Sequence, residues 1–359
     1  MTPTKLGFGA MRLPKEVDEC KKMFASYIES GNNYVDTAYI YEGSEEMVKK
    51  ALVDQHPRDS FLLANKIPPW EVKSKEDCKR VFEEQLKRCG VDYFDYYLVH
   101  SLSVSNEEKA LKAGAYEFVE EMKQKGYIKH VGFSFHDSSA VLQQLMDAHH
   151  KQIEFVMLQL NYVDILRGPA GEWHKLALKY NKPIMVMEPI KGGTLASLPK
   201  EAEDLFKATR PNDSIASWAM RYAASLEGVK TVISGMSTLA QVKDNLRTFN
   251  PLEPISEEEY KILNKAIEIL GKEGSIPCTG CKYCLVECPM GIAIDSCISL
   301  YNEAKRGNED AKWNRKSVYD SIAQGNKASD CTSCGACLPR CPQHINIPEA
   351  MQTVAGEFK

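Results

Sequence analysis

The chain of 359 residues has little of what marks several specialised classes of protein. It lacks a long apolar run, so no transmembrane helix is predicted, and its N-terminus lacks the basic patch and apolar stretch of a signal peptide. The net charge is only −4, and lysine and arginine are spread along the chain without forming a basic stripe. We therefore expect a cytoplasmic protein that binds neither membranes nor nucleic acid.

Cysteine, in contrast, is abundant. Twelve are present, and eight of them lie in two runs, "CTGCKYCLVECP" at 278–289 and "CTSCGACLPRCP" at 331–342. In each run the four cysteines are two, two and three residues apart and a proline follows, which is the pattern that holds a cubane [4Fe-4S] cluster. Such sites belong to a reducing compartment, so disulfides are not expected. The other four should be ordinary buried residues, because free cysteine behaves as a small hydrophobe: Cys20, Cys78, Cys89 and Cys297.

Zinc is the alternative occupant of the two cysteine runs, because C-x2-C pairs also hold tetrahedral zinc. A zinc site has no use for a third cysteine two residues further on, or for the proline after the fourth. The runs therefore favour two [4Fe-4S] clusters over zinc.

Short apolar runs alternate with longer helical patterns before the first cysteine run, as in a parallel sheet with crossover helices. Eight strand-then-helix units in about 250 residues are what a (β/α)8 TIM barrel requires. No Gly-x-Gly-x-x-Gly follows the first strand, which disfavours a doubly wound dinucleotide-binding sheet. The predicted strands are "LGFGAM", "YVDTA", "FLLANK", "YFDYYLVH", "HVGFS", "FVMLQL", "PIMVME" and "TVISGM".

A second domain is predicted after the barrel. A proline-punctuated joint and one helical pattern, "NPLEPISEEEYKILNKAIEILG", precede a shift in composition towards cysteine, glycine and lysine. We place the α/β barrel over 1–272 and a small, mainly helical domain over 273–359. Two stretches between the cysteine runs have helical patterns, "IDSCISLYNEAKRG" and "KWNRKSVYDSIAQG".

Polar side chains with catalytic chemistry follow three neighbouring strands of the predicted barrel. Asp36 follows strand two, Tyr41 lies in the next loop, Lys66 ends strand three and His100 ends strand four. The carboxyl ends of barrel strands carry the chemistry in this fold. A tyrosine that gives its proton to a carbonyl oxygen needs a neighbouring ammonium to lower its pKa, and a carboxylate to hold that ammonium. Histidine would supply a donor to the same oxygen.

These residues carry a resemblance to a known family. The stretch "VDTAYIYEGSEEMVKKAL" resembles the aldo/keto reductase signature D-T-A-x-x-Y-G-x-S-E, and the likeness continues through "LLANK", "YYLVHS", "GYIKHVGFS", "LQLNY", "MEPIKGG" and "VISGMSTLAQVKDNL". The resemblance implies an NAD(P)H-dependent enzyme that reduces a small aldehyde or ketone, with Asp36, Tyr41, Lys66 and His100 as its catalytic set. Tyr39 lies nearby, but only Tyr41 has the family's spacing from Asp36.

The same resemblance implies where NADP or NAD binds, with some departures. Phe135 replaces the asparagine usual beside Ser134, Met187 replaces an aromatic that stacks on the nicotinamide, and Glu188 follows where a serine is common. Many NADPH-specific members have cations at the positions of Gly235 and Gln241. In the last unit, residues 235–238 lead into a helix N-terminus that suits a phosphate. The implied cofactor residues are Gly9, Met11, Arg12, Ser134, Gln159, Met187, Glu188, Gly235, Met236, Ser237, Gln241 and Asn245.

The C-terminal part resembles the helical type of two-cluster ferredoxin domain. In two-cluster folds the fourth cysteine of each run ligates the other cluster. The resemblance therefore implies two crossed ligand sets. One is Cys278, Cys281, Cys284 and Cys341, and the other is Cys331, Cys334, Cys337 and Cys288.

Two functional alternatives stand beside the carbonyl reductase. In the first, the clusters exchange electrons with a flavin or a redox partner protein, and the absence of an aromatic at Met187 keeps this alternative open. In the second, the barrel binds without turnover, which the complete catalytic set disfavours. Because hydride transfer moves two electrons together and a cubane cluster normally passes one, we expect carbonyl reduction to run on the barrel alone.

Overall fold

The computed structural model describes residues 1–272, 274–306 and 309–359. Eight parallel strands close into a barrel in chain order, with β8 paired to β1. The predicted (β/α)8 barrel is therefore confirmed. The strands are β1 (Leu6–Gly9), β2 (Tyr34–Asp36), β3 (Leu62–Ile67), β4 (Phe94–Leu102), β5 (Ile128–Phe135), β6 (Phe155–Gln159), β7 (Ile184–Met187) and β8 (Val229–Ser234).

Helices connect the strands and form most of the C-terminal part. Local signals mark the ends of some of them, as where the Ser74 hydroxyl caps its helix by accepting from the N–H of Asp77 and Gly90 ends that helix with a φ of 68°. The helices are α1 (Val17–Glu29), α2 (Ser44–Val48), α3 (Lys75–Cys89), α4 (Val104–Ala113), α5 (Ala115–Gln124), α6 (Ser139–His149), α7 (Tyr162–Arg167), α8 (Ala170–Lys179), α9 (Lys200–Thr209), α10 (Ile215–Ser225), α11 (Leu239–Phe249), α12 (Glu257–Lys272), α13 (Ile294–Arg306), α14 (Glu309–Asp320) and α15 (Ile347–Glu357).

The described residues form two compact units. The barrel unit comprises Met1–Pro189 and Ser217–Ile255 and holds all eight strands. The C-terminal unit comprises Ser256–Lys359 together with Ile190–Ala216, a segment that follows β7 in the chain. The boundary predicted between 272 and 273 falls on Glu273, which lies outside the described residues, so it stays a prediction.

Each unit has an apolar core of its own. Inside the barrel, alternate residues of several strands pack together: Tyr34, Leu62, Ala64, Tyr96, Leu98, Phe155, Met157, Met185 and Ile233. In the C-terminal unit, residues of α13 and α15 pack with two cysteines of the runs, Cys284 and Cys337, and with Cys297. As predicted, Cys20, Cys78, Cys89 and Cys297 are buried. Across the described ranges no helix is both long and apolar enough to cross a membrane.

Candidate active site

A buried ion pair lies at the carboxyl ends of β2 and β3. The Lys66 ammonium is 2.6 Å from the Asp36 carboxylate and also donates to the Thr37 carbonyl oxygen at 2.8 Å. Lys66 is 1% exposed and Asp36 4%. Since a buried charge is costly unless it is paired and hydrogen-bonded, each partner requires the other. The parallel pairing of β2 with β3 brings them together.

Burial shifts the pKa values of Asp36, Lys66 and His100 away from the values that these groups have in water. Burial raises the pKa of Asp36 and lowers the pKa of Lys66, and the attraction within the pair opposes both shifts. The pKa of His100 is well below its ordinary value, because the ring is buried and because Lys66 and His136 add repulsion to its charged form. His100 is therefore neutral at neutral pH.

Tyr41 and His100 complete the group. The Lys66 ammonium is 4.9 Å from the centroid of the Tyr41 ring, and the Tyr41 and His100 rings meet edge to face with centroids 6.1 Å apart. A turn that follows β2 positions Tyr41, whose N–H donates to the Ala38 carbonyl oxygen at 3.0 Å. The structure thus brings together all four side chains that sequence analysis selected.

Tyr39, the neighbouring tyrosine, has a different environment. Its hydroxyl donates to the Glu84 carboxylate at 2.8 Å, and the Arg88 guanidinium lies 4.6 Å from its ring centroid. Glu84 and Arg88 belong to α3, outside the barrel. The geometry therefore agrees with the choice of Tyr41 made from spacing.

A buried polar network behind Lys66 was missed by sequence analysis. The Asn65 side chain accepts from the Lys66 N–H at 2.8 Å and donates to Glu45 at 2.8 Å. Gln85 donates to the Asn65 side chain at 2.7 Å and to the Lys66 carbonyl oxygen at 2.9 Å, and it accepts from the Tyr97 hydroxyl. The available signal was a polar residue, Asn65, inside the apolar run of β3. The network fixes the backbone that carries Lys66.

Trp70 is a second residue that sequence analysis missed. It lies in a short turn at Pro69–Glu71, directly after β3, and its ring centroid is 5.4 Å from that of His100. An aromatic residue after two prolines at a strand end was the available signal. Trp70 adds an apolar wall beside the histidine.

The residues predicted at the nicotinamide end lie on β5, β6 and β7. The Ser134 hydroxyl accepts from the Ser101 N–H at 2.7 Å, and the Gln159 amide donates to Asp164 at 2.7 Å. Gln159 and Met187 are partners in the pairing of β6 with β7. Phe135 is fully buried, with its ring edge-on to that of Trp173. Position 135 therefore presents an apolar side chain in place of the asparagine that the family usually has there.

The residues predicted at the adenosine end surround the start of α11. The Thr238 hydroxyl caps the helix by accepting from the Gln241 N–H at 3.2 Å, and the Gln241 side chain accepts from the Ser237 N–H at 2.7 Å. Asn245 is buried and donates to the Ser234 hydroxyl at 2.9 Å. The helix N-terminus is formed, but Gln241 and Asn245 already have partners within the protein.

An ion pair connects the ends of β1 and β7. The Arg12 guanidinium is 3.8 Å from the Glu188 carboxylate, and Glu188 has a φ of 52°. The same guanidinium is 3.6 Å from the point where a side chain at Gly235 would begin. Arg12 therefore places positive charge beside a position where many family members carry a cation of their own.

The two cysteine runs line two pockets in the C-terminal unit. One is lined by Cys278, Cys281, Cys284 and Cys341, and the other by Cys288, Cys331, Cys334 and Cys337. These are the two crossed sets that the resemblance implied. Each pocket takes three cysteines from one run and the fourth from the other, as a two-cluster fold requires.

Backbone groups around the pockets also suit clusters. The N–H groups of Gly280, Ile292 and Ile345 each lie 3.4 Å from a cysteine sulfur, that of Cys278, Cys288 and Cys341 respectively. Among the residues that the structure describes, no three histidine, cysteine or acidic side chains converge closely enough to hold a single metal ion.

Comparison with known proteins identifies both parts of the chain. Residues 5–268 match the sequence model of the aldo/keto reductase family. The chain belongs to this family. Residues 277–345 match a 4Fe-4S dicluster domain, which confirms the predicted order of a reductase barrel followed by a ferredoxin-type domain. The chain is thus an aldo/keto reductase-type oxidoreductase with an added iron–sulfur domain.

Curated relatives and solved structures cover the barrel. The oxidoreductase YqkF of Bacillus subtilis (strain 168) is 26% identical over 294 residues, which cover 72% of this chain and 91% of the relative. An NADPH-dependent alpha-keto amide reductase of Saccharomyces cerevisiae is 31% identical over 102 residues, 28% of this chain and 32% of its own. The holo form of an aldo-keto reductase from Bacillus halodurans superposes with a TM-score of 0.59 at 26% identity, covering 73% of this chain and 91% of the other.

Proposed function

We propose that the barrel reduces an aldehyde or a ketone with NADPH or NADH, and that Tyr41 is the proton donor. The observation that carries this proposal is the buried Lys66–Asp36 pair, whose ammonium lies 4.9 Å from the centroid of the Tyr41 ring. A fixed cation in this position stabilises the phenolate that remains when Tyr41 gives up its proton, and it needs no reorganisation during the reaction.

Each side chain of the set has one task in this mechanism. The nicotinamide, when bound, supplies the hydride to the carbonyl carbon. The Tyr41 hydroxyl gives its proton to the carbonyl oxygen, which completes the alcohol, and the phenolate then recovers a proton from solvent. His100, neutral because it is buried, donates a hydrogen bond to the same oxygen. Asp36 holds the Lys66 ammonium in place.

The residues around the strand ends fit a dinucleotide. Gly9 packs closely against the end of β8, since a Cβ there would lie 3.2 Å from the Ser234 carbonyl oxygen. The capped start of α11 suits a phosphate, and the name of the yeast relative supports NADPH as the cofactor class. We propose that the dinucleotide is held by Gly9, Met11, Arg12, Ser134, Gln159, Met187, Glu188, Gly235, Met236, Ser237, Gln241 and Asn245.

A pair of tyrosine variants tests the proposal. In Tyr41→Phe we expect turnover of aldehydes and ketones to fall about a hundredfold or more, as for loss of a general acid, with dinucleotide affinity unchanged. Tyr39→Phe is the matched control, because its hydroxyl contacts Glu84 and should leave turnover intact. Unchanged turnover in Tyr41→Phe would remove Tyr41 from the mechanism.

For the C-terminal domain, we propose two [4Fe-4S] clusters on the crossed cysteine sets and a structural or redox-sensing role. Metal analysis should give about eight irons and eight labile sulfides per chain. Mixing the protein anaerobically with excess NADPH or NADH should leave the visible absorption of the clusters unbleached and produce no electron paramagnetic resonance signal from reduced clusters. Carbonyl turnover should persist in a folded Cys334→Ala variant. Rapid cluster reduction by the dinucleotide alone would favour the alternative of electron transfer to a flavin or a redox partner protein.

A further inference from the structure

The segment that follows β7 is anchored within the C-terminal unit. Residues 190–216 group with 256–359 by their contacts. At its far end, Arg210 forms an ion pair with Glu259 of α12, and Glu259 is 3% exposed. At its near end, Gly192 lies against the loop of the first cysteine run. Sequence analysis assigned Gly192 and Thr279 to different domains, whereas Arg210 and Glu259 both fall within the predicted barrel domain, 1–272.

The contact at Gly192 is too close for any side chain. A Cβ there would lie 2.4 Å from both the Cα and the carbonyl oxygen of Thr279, and the backbone of Gly192 has a φ of +64°. Thr279 is 2% exposed, stands directly after Cys278 and lines the pocket of Cys278, Cys281, Cys284 and Cys341. Only glycine lets the backbone of the segment rest on the cluster-binding loop.

The backbone around Gly192 requires support from outside the segment. Two residues other than glycine, Glu188 and Lys191, have positive φ values of 52° and 47°. Such conformations are strained and persist only where the surroundings hold them. Met187 and Glu188 lie just before the segment, separated from it by Pro189, and both are among the residues proposed to hold the dinucleotide.

The cluster-binding loop has little regular structure to hold its own path. In the described stretch 274–293 there is no helix or strand, and Gly280 and Lys282 have φ values of 64° and 68°. Where a loop of this kind wraps a metal site, ligation supplies the free energy that orders it. The position of Thr279 therefore depends on the cluster held by Cys278, Cys281, Cys284 and Cys341.

We propose that the loop Cys278–Cys284 is a positioning element for the segment after β7, so that the presence of its cluster sets the affinity of the barrel for the nicotinamide dinucleotide. This inference rests on the proposed function. In this role, the cluster held by Cys278, Cys281, Cys284 and Cys341 does not need to pass single electrons to the site of hydride transfer in the barrel. Loss of that cluster, for example by oxidation, would release Thr279 from Gly192 and loosen the residues that precede the segment.

Two neighbouring glycines provide a matched pair of variants. Gly192 and Gly193 lie in the same turn and both have positive φ, but a Cβ at Gly193 would meet nothing within 4 Å. In anaerobically purified protein with both clusters, we expect Gly192→Ala to weaken NADPH and NADH binding about tenfold, a usual size for coupling between two sites. Gly193→Ala should bind within about twofold of wild type, because it disturbs no contact, even though its φ of 100° strains an alanine more than the φ of 64° at Gly192 does.

A second measurement separates the contact from general damage. Wild-type protein stripped of its clusters, with the barrel still folded by circular dichroism, should lose the same tenfold in dinucleotide affinity. Stripping Gly192→Ala should then cause little further loss, since the coupling is already broken. Equal effects of the two glycine variants, or full affinity in stripped wild type, would overturn the proposal while leaving the reductase function standing. Failure of loaded wild type to bind either dinucleotide would overturn both.

Discussion

The barrel unit and the C-terminal unit bury polar and sulfur-containing side chains in different ways. In the barrel, the charge of Lys66 is met by Asp36, and Asn65 and Gln85 fix the backbone behind it. In the C-terminal unit, the cysteines of the runs line two pockets, and three backbone N–H groups lie 3.4 Å from a cysteine sulfur. The barrel site is preformed by the polypeptide, whereas we expect the C-terminal fold to require bound clusters.

Removal of iron tests whether the C-terminal fold needs bound clusters while the barrel does not, and it should give the largest effect. Treating the protein with an oxidant and a chelator should abolish protease resistance after residue 272, because α13 and α15 pack on a core that includes Cys284 and Cys337. The barrel should keep its own thermal transition. Limited proteolysis with mass spectrometry, together with calorimetry, would measure both effects. Full protection of α13 and α15 in iron-free protein would show that the C-terminal unit folds on its apolar core alone.

Breaking the Lys66–Asp36 ion pair tests whether the barrel site is held together by its own paired charges. Lys66→Met should lower the free energy of unfolding by about 3–5 kcal/mol, because it leaves the Asp36 carboxylate buried without its partner. The double variant Lys66→Met with Asp36→Asn is the control and should recover most of this loss. Urea unfolding measures all three proteins. Equal destabilisation of the single and double variants would mean that packing, and not charge, is what Lys66 contributes.

A smaller effect is expected at a second buried polar cluster of the barrel unit. His149 stacks on Tyr116 at 3.9 Å and lies 2.7 Å from the Glu107 carboxylate. Burial acts to lower the pKa of His149, but the hydrogen bond and the charge of Glu107 outweigh it and raise the pKa above 6.5. The protonated ring therefore stabilises the folded state below pH 6.5, and this contribution is lost as the pH rises through the raised folded value.

His149→Gln measures this contribution. The loss of stability should be about 1.5 kcal/mol at acidic pH, the size of a hydrogen bond to a charged group, and smaller at alkaline pH. Thermal unfolding of wild type and variant, measured from acidic to alkaline pH, would detect this change in stability. A loss that does not change with pH would assign His149 a packing role on Tyr116 only.

Much of the fold and the core of the site followed from local patterns. Alternating apolar runs and helical spacing predicted all eight strands, although β2 ends at Asp36, two residues before the predicted end, and β4 continues to Leu102. Spacing selected Tyr41 over Tyr39, and the contacts of the two rings agree with that choice. The cysteine spacing predicted two cluster motifs, and the crossed ligand sets that the resemblance to two-cluster domains implied line two pockets. Each of these signals lies within a short stretch of chain.

The sequence by itself determined the barrel, the two cluster-binding runs and the four side chains at the strand ends, because strand periodicity, ligand spacing and motif spacing are properties of neighbouring residues. Only the tertiary structure decided that Asn65 and Gln85 meet behind Lys66, and that the segment after β7 rests on the first cysteine run through Gly192 and Thr279. These contacts join residues far apart in the chain. Their partners depend on how the backbone folds back on itself, which no local pattern of residue types records.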